Sequence, residues 1–189
     1  MKELISAIQS RTKYQPKIAV ILGSGLGDFA DQVDNADIIP TAELPGYPVS
    51  TVPGHKGRLV FGKLDEVVAL ALQGRVHYYE GYPMEDVVLP VRLMRGLGVQ
   101  ILIVTNASGG IDPRLQPGDL MLIDDHINLM GVSPLIGWDP NDEVSRFVDM
   151  GQAYSPKLNK LAEQVALELK IPLKRGILGA LTGPSYDTG

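Results

Sequence analysis

The sequence contains no cysteine. That excludes a disulfide framework, a thiolate metal site and a cysteine nucleophile, and it suits a cytoplasmic protein. No apolar run reaches the ~18 residues a membrane-spanning helix needs. The N-terminus, Met1–Lys17, is amphipathic and lacks the apolar stretch of a secretory signal. Positive charge is in deficit: 17 Lys and Arg stand against 22 Asp and Glu, a formal net charge of −5. Broad nucleic-acid binding usually carries a basic footprint, so it is not expected. One small anion is still compatible, because a local site can be positive on an acidic protein. The 3 histidines show no helical or hairpin spacing with acids, so no metal site is expected. A Gly-x-Ser-x-Gly elbow is missing, and there is no internal repeat, charge block or low-complexity linker.

What is present is ordinary globular material, 44% hydrophobic and 21% charged, in 189 residues. That supports a single domain over residues 1–189 with a sizeable core. Leu4, Ile5 and Ile8 give residues 2–11 helical spacing. Residues 17–22 form an apolar strand running into a glycine-rich turn, with a helix around residues 26–33. Residues 45–57, rich in proline and glycine, read as a loop. Residues 58–63 and 66–72 read as strands joined tightly at Leu64-Asp65, and residues 73–83 as a second loop. Residues 84–97 read as one helix with Pro90 near its start. Residues 100–105 are the most strongly apolar buried strand, followed by a strand at 119–123, a helix at 156–169 capped by Ser155, and a strand at 175–181. Strands alternating with helices predict an α/β fold: a mixed, largely parallel central sheet flanked by helices. Ligands in such folds bind at the carboxyl ends of strands.

Three strand-end segments could carry chemistry. Gly23-Ser24-Gly25-Leu26-Gly27 offers backbone N–H groups, a helix N-terminus and a hydroxyl to an oxyanion. A plain strand–helix turn explains it equally well. A dinucleotide-binding reading fails, because Asp28 stands at the third glycine and no acid closes a second strand about 20 residues on. In Gln73–Tyr82, Arg75 and His77 are two apart and point the same way if extended. Arginine holds phosphate bidentately and histidine can carry a proton, although a solvated loop is the plainer account. In Val104–Gly110, a buried strand ends in small residues that leave backbone donors open. His55 lies in a loop where it could cover an anion or simply face solvent. For His126 a structural hydrogen bond is expected, and for Trp138 a packing role.

Taken together these stretches resemble the trimeric, low-molecular-mass class of purine nucleoside phosphorylases. The matching segments are Leu22–Gly27, Val52–Gly62, Gln73–Tyr82, Val104–Gly110, Asp125–Gly131 and Gly183–Tyr186, in family order. The resemblance implies phosphorolysis of inosine- or guanosine-type nucleosides to free purine and ribose 1-phosphate. It implies no metal or organic cofactor, since inorganic phosphate is a co-substrate, and a homotrimer as the working form. It assigns phosphate binding to Ser24, Arg75, His77, the backbone at Ala107, and His55 on a covering loop. Tyr79 and a neighbouring subunit's Phe147 would contact ribose. Ala107, Ser108, Gly109, Tyr186 and Asp187 would hold the base, with His77 and Asp187 in catalytic roles. Asp187 stands where the family carries a glutamate. The family pattern continues beyond Gly189 with an asparagine, a hydroxyl residue and a histidine of the site, so the sheet is expected to be incomplete here. Two other readings stay open: a catalytically silent homologue that binds phosphate or nucleoside, and a methylthioadenosine phosphorylase.

Overall fold

The computed structural model describes residues 1–52, 56–137 and 147–185. The chain forms two compact units, Met1–Ser108 and Gly109–Gly189.

The first unit is built on a five-stranded mixed sheet: β1 (Ile18–Leu22), β2 (Asp34–Pro40), β3 (Arg58–Leu64), β4 (Val67–Gln73) and β5 (Ile101–Val104), in the spatial order β2-β3-β4-β1-β5. β1 pairs in parallel with β4 and with β5, whereas β2–β3 and β3–β4 are antiparallel. The central strands are apolar on both faces because both are covered, and their period of two sorts the side chains. Ala19 and Ile21, Leu59 and Phe61, and Leu70 and Leu72 share one face. Against them pack Leu4 and Ile8 of α1 (Lys2–Gln9) and Leu93 and Met94 of α3 (Leu89–Gly96). Val20, Leu22, Val60 and Ala71 point the other way and meet Ala30 and Val33, in and after a 3₁₀ segment, Gly27–Gln32. Each such fully buried Leu, Ile or Phe contributes roughly 2 kcal/mol through loss of apolar surface to water.

Three sequence expectations are corrected, and one strand is added to them. The helix around residues 26–33 is this 3₁₀ turn, too short to bury a full α-helical face. The single helix at 84–97 is split into α2 (Met84–Val87) and α3, because Pro90 lies in the first turn of α3 and cannot donate into a continuous ladder. β2 carries no alternating apolar pattern and was not foreseen; its one buried side chain is Ile39. β5 is not deeply buried: it is an edge strand among the described residues, leaving Ile103 and Val104 half exposed.

Tyr47 packs against the helix-covered face, yet its hydroxyl is buried with no hydrogen-bond partner among the described residues. Burial pushes the phenol well above its ordinary pKa. An unsatisfied buried hydroxyl costs about 1–3 kcal/mol. Tyr47→Phe is therefore expected to leave stability unchanged or raise it by ~1 kcal/mol, read by urea unfolding. A loss of stability in that variant contradicts the account.

The second unit has a parallel pair, β6 (Leu120–Asn128) and β7 (Leu173–Ala180), and one long helix, α4 (Pro156–Glu168). The expected strand at 119–123 thus runs five residues further, through a register shift between Ile123 and Asp125. Arg175 of β7 grips the Asp124 carboxylate with Nε and Nη2 at 3.0 and 2.6 Å and reaches Glu163 of α4 at 2.8 Å, tying the helix to the strands. Ser155 caps α4 by accepting from the Leu158 N–H at 3.4 Å. His126 makes the structural hydrogen bond expected of it, Nδ1 to the Tyr154 hydroxyl at 3.1 Å.

Candidate functional site

The register of the first unit brings the candidate segments to one edge of the sheet. Leu22 pairs with Gln73, Ile21 pairs with Val104, and Gln73 pairs with Arg58. The loops after the parallel strands β4, β1 and β5 therefore leave from the same end, and antiparallel β3 begins there. The chain after β1 turns to one face of the sheet and the chain after β4 to the other. Such a divergence opens a crevice at the strand ends, the usual ligand position in α/β sheets.

The turn after β1 is held tightly at its start. The Gly23 N–H donates to Thr105 Oγ1 at 2.8 Å, and that hydroxyl donates to the Ile21 carbonyl at 3.1 Å. A Cβ on Gly23 would lie 2.6 Å from the Thr105 carbonyl oxygen and 2.7 Å from Asn106 Cα, so only glycine permits the two strand ends to meet. Gly25, at φ +80°, turns the chain and leaves Ser24 exposed. Asn106 Nδ2 donates to Ser108 Oγ at 3.1 Å, on either side of exposed Ala107.

After β4 the chain carries Arg75 back toward β1, where Nη1 donates to the Leu22 carbonyl at 3.0 Å. Burial draws the Arg75 pKa down, with Tyr79 opposing, but a guanidinium stays protonated at any working pH. A half-buried cation thus sits directly beside the serine turn. His77 precedes a 3₁₀ turn, Tyr78–Glu80, and its ring stacks on Tyr79 with centroids 4.8 Å apart and an interplanar angle of 13°.

The sequence reading passed over Glu80. Its side chain is 2% exposed and accepts from the His77 N–H at 2.7 Å, the Thr51 N–H at 2.6 Å, the Thr51 hydroxyl at 2.9 Å and the Ser50 hydroxyl at 3.1 Å. His77 Nδ1 lies 3.0 Å from the same carboxylate. That contact orients the imidazole. Burial raises the Glu80 pKa, but the hydrogen bonds from Thr51 and His77 outweigh it and hold it at about 2. The only sequence signal was spacing: a glutamate three residues after His77, at the end of a 3₁₀ turn, can reach back to the residue before the turn.

A depressed carboxylate stabilises the fold above its unfolded pKa of about 4.3 and loses that contribution as pH falls toward about 2. Glu80→Gln should lower the unfolding temperature at pH 7, and the gap to the parent should close over that acid window. A gap independent of pH would show that the charge does not matter.

Among the described residues, no group of three or more His, Asp or Glu is placed to hold a metal ion, and no helix is long and apolar enough to cross a membrane. Gly109 and Phe147 belong to the second unit, with Phe147 87% exposed. His55, Trp138, Tyr186 and Asp187 lie outside the described residues.

Comparison with known proteins shows the family. The model of the phosphorylase superfamily matches residues 17–189. Purine nucleoside phosphorylase 1 of Bacillus subtilis is 51% identical over 181 residues, covering 96% of this chain and 67% of that protein. Its counterpart from Geobacillus stearothermophilus is 51% identical over 175 residues, covering 92% of this chain and 63% of the relative. A solved purine nucleoside phosphorylase in complex with ribose 1-phosphate superposes with a TM-score of 0.92 at 40% identity, over 99% of this chain and 71% of that one. The chain thus spans about two thirds of the length of the proteins it matches. With the family model matched across 17–189 and half of all aligned positions identical to such enzymes, this chain belongs to the phosphorylase superfamily, among the purine nucleoside phosphorylases.

Proposed function

We propose that this chain binds inorganic phosphate and a purine nucleoside and serves phosphorolysis, giving free purine and ribose 1-phosphate. The observation that carries the reading is the meeting of the Ser24 turn, the Arg75–His77 segment and the Ala107 backbone at one carboxyl edge of β4, β1 and β5. Those groups are the kinds of donor a phosphate needs: a half-buried guanidinium, a hydroxyl, an imidazole and backbone N–H groups. His55 is assigned to the same anion on the family match alone.

In the reaction, a phosphate oxygen forms a bond to the anomeric carbon while the bond from that carbon to the purine nitrogen breaks. The bonding pair leaves with the purine, which takes up a proton. Positive charge on the sugar in the transition state lies beside the bound dianion, so positioning and electrostatics supply the acceleration. No metal or organic cofactor enters this scheme, and a chelator should leave the rate unchanged. Tyr79, stacked on His77, is assigned to the ribose. Phe147, strongly exposed, is assigned to a second copy's ribose site in a homotrimer. Ala107, Ser108, Gly109, Tyr186 and Asp187 are assigned to the base, an acid at 187 favouring 6-oxopurines because it accepts from ring N–H groups. The cytoplasm is the compartment we assign.

Release of hypoxanthine from inosine, dependent on added phosphate, tests the activity. Guanosine and methylthioadenosine run alongside would separate the nucleoside classes. Phosphate binding without turnover by folded protein would replace this reading with a silent binding module, and absence of phosphate binding would sink both.

A further inference from the structure

The proposed phosphate site depends on a turn that makes few contacts of its own. Thr105 holds its first glycine. Its last, Gly27, is held by a side chain given no role so far: Gln73, the final residue of β4. The Gln73 Nε2 group donates to the Gly27 carbonyl at 2.7 Å. Its Oε1 accepts from Arg58 Nε, at the start of β3. Arg58 Nη2 continues to Asp31 Oδ1 at 2.5 Å, within the 3₁₀ segment that Gly27 opens. Lys56 meets the same carboxylate at 3.4 Å. One buried carboxamide, on a residue 2% exposed, therefore joins the end of β4, the serine turn and the start of β3.

A glutamine is the wrong residue for packing alone. Its neighbours along β4, Leu70, Ala71 and Leu72, are all fully buried, and burying an amide costs about 1–3 kcal/mol unless both its ends are bonded. Here both are. Moreover, Gln73 is two residues before Arg75, so the same strand end that carries the cation also sets the hydroxyl-bearing turn opposite it.

Resting on the phosphate-binding reading above, we infer that Gln73 is a positioning residue for the anion: its carboxamide fixes Gly27, and thereby Ser24, relative to Arg75. A merely structural glutamine would affect folding stability but not the affinity of folded protein for phosphate. The two are separated by measuring the unfolding temperature against inorganic phosphate concentration, with chloride at matched ionic strength, and extracting the phosphate Kd independently of the starting temperature.

Gln73→Met preserves side-chain length and removes both hydrogen bonds. The expected result is a phosphate Kd raised about tenfold over the parent. A rise below threefold, whatever the loss in unfolding temperature, overturns the inference. If that variant does not fold, Arg58→Met, which removes the anchor on the carboxamide oxygen, is judged by the same threefold criterion. Parent protein that shows no phosphate-dependent stabilisation would instead refute phosphate binding itself, a distinct outcome from equal affinity in parent and variant.

Discussion

Replacing Arg75 with leucine should weaken phosphate binding by ~100-fold or more, the equivalent of about 3 kcal/mol. The guanidinium is half buried, next to the serine turn, and tied by one N–H to the Leu22 carbonyl. That tether orients the planar group at the carboxyl end of β1. In a partly desolvated site a charge-assisted bidentate contact is worth far more than an exposed ion pair. Arg75→Lys keeps the charge but loses the planar fork, so an intermediate loss of about tenfold is expected. The phosphate dependence of the unfolding temperature and, where turnover is present, the KM for phosphate both report it. Equal phosphate affinity in Arg75→Leu would remove this residue from the site and with it the main electrostatic support for the proposed function.

Gly23→Ala is the second large effect, and it acts on the scaffold. The added methyl would fall within 3.0 Å of three backbone atoms of Thr105 and Asn106. Backbone cannot rotate away as a flexible side chain can, so the ends of β1 and β5 must separate. Separation breaks the Gly23 N–H to Thr105 bond and strains the paired strands beneath. Overpacking of this kind costs about 3 kcal/mol, or a fall of roughly 6–12 °C in a chain of this length. Thermal unfolding followed by circular dichroism checks it. A midpoint within ~2 °C of the parent would mean that the two loops can part at no cost.

The segments legible in the sequence were those whose local pattern and tertiary role coincide. The Ile18–Leu22 run is apolar at every position and lies between two parallel neighbours, so pattern and burial agree. Ser155 before Pro156 announced α4, because a capping hydroxyl and a proline in the first turn are both local devices. Where pattern and role part, the reading failed. Ile101–Val104 is as apolar as β1 but lies at a sheet edge, and edge position is not encoded in four residues. Asp34–Pro40 has no strand-like alternation and is recruited by pairing with β3, a non-local cause.

The candidate site divides in the same manner. Ser24, Arg75, His77 and Ala107 are candidates in the sequence because glycine-rich strand ends and an Arg-x-His pair are local signals. Glu80, Thr51, Gln73 and Thr105 were not, because their roles are bonds across 29, 46 and 82 residues of chain.

By itself, the sequence determined which residues are apolar with a period of two, where glycines let the chain turn, and which donors could meet an anion. Those are properties of short segments and of single side chains. Only the tertiary structure decided that three loops share one edge and that Ser50 and Thr51 meet the carboxylate beside His77. It also placed a carboxamide to clamp the serine turn. The reason is that strand register brings distant residues together, and register is fixed by the packing of both sheet faces at once.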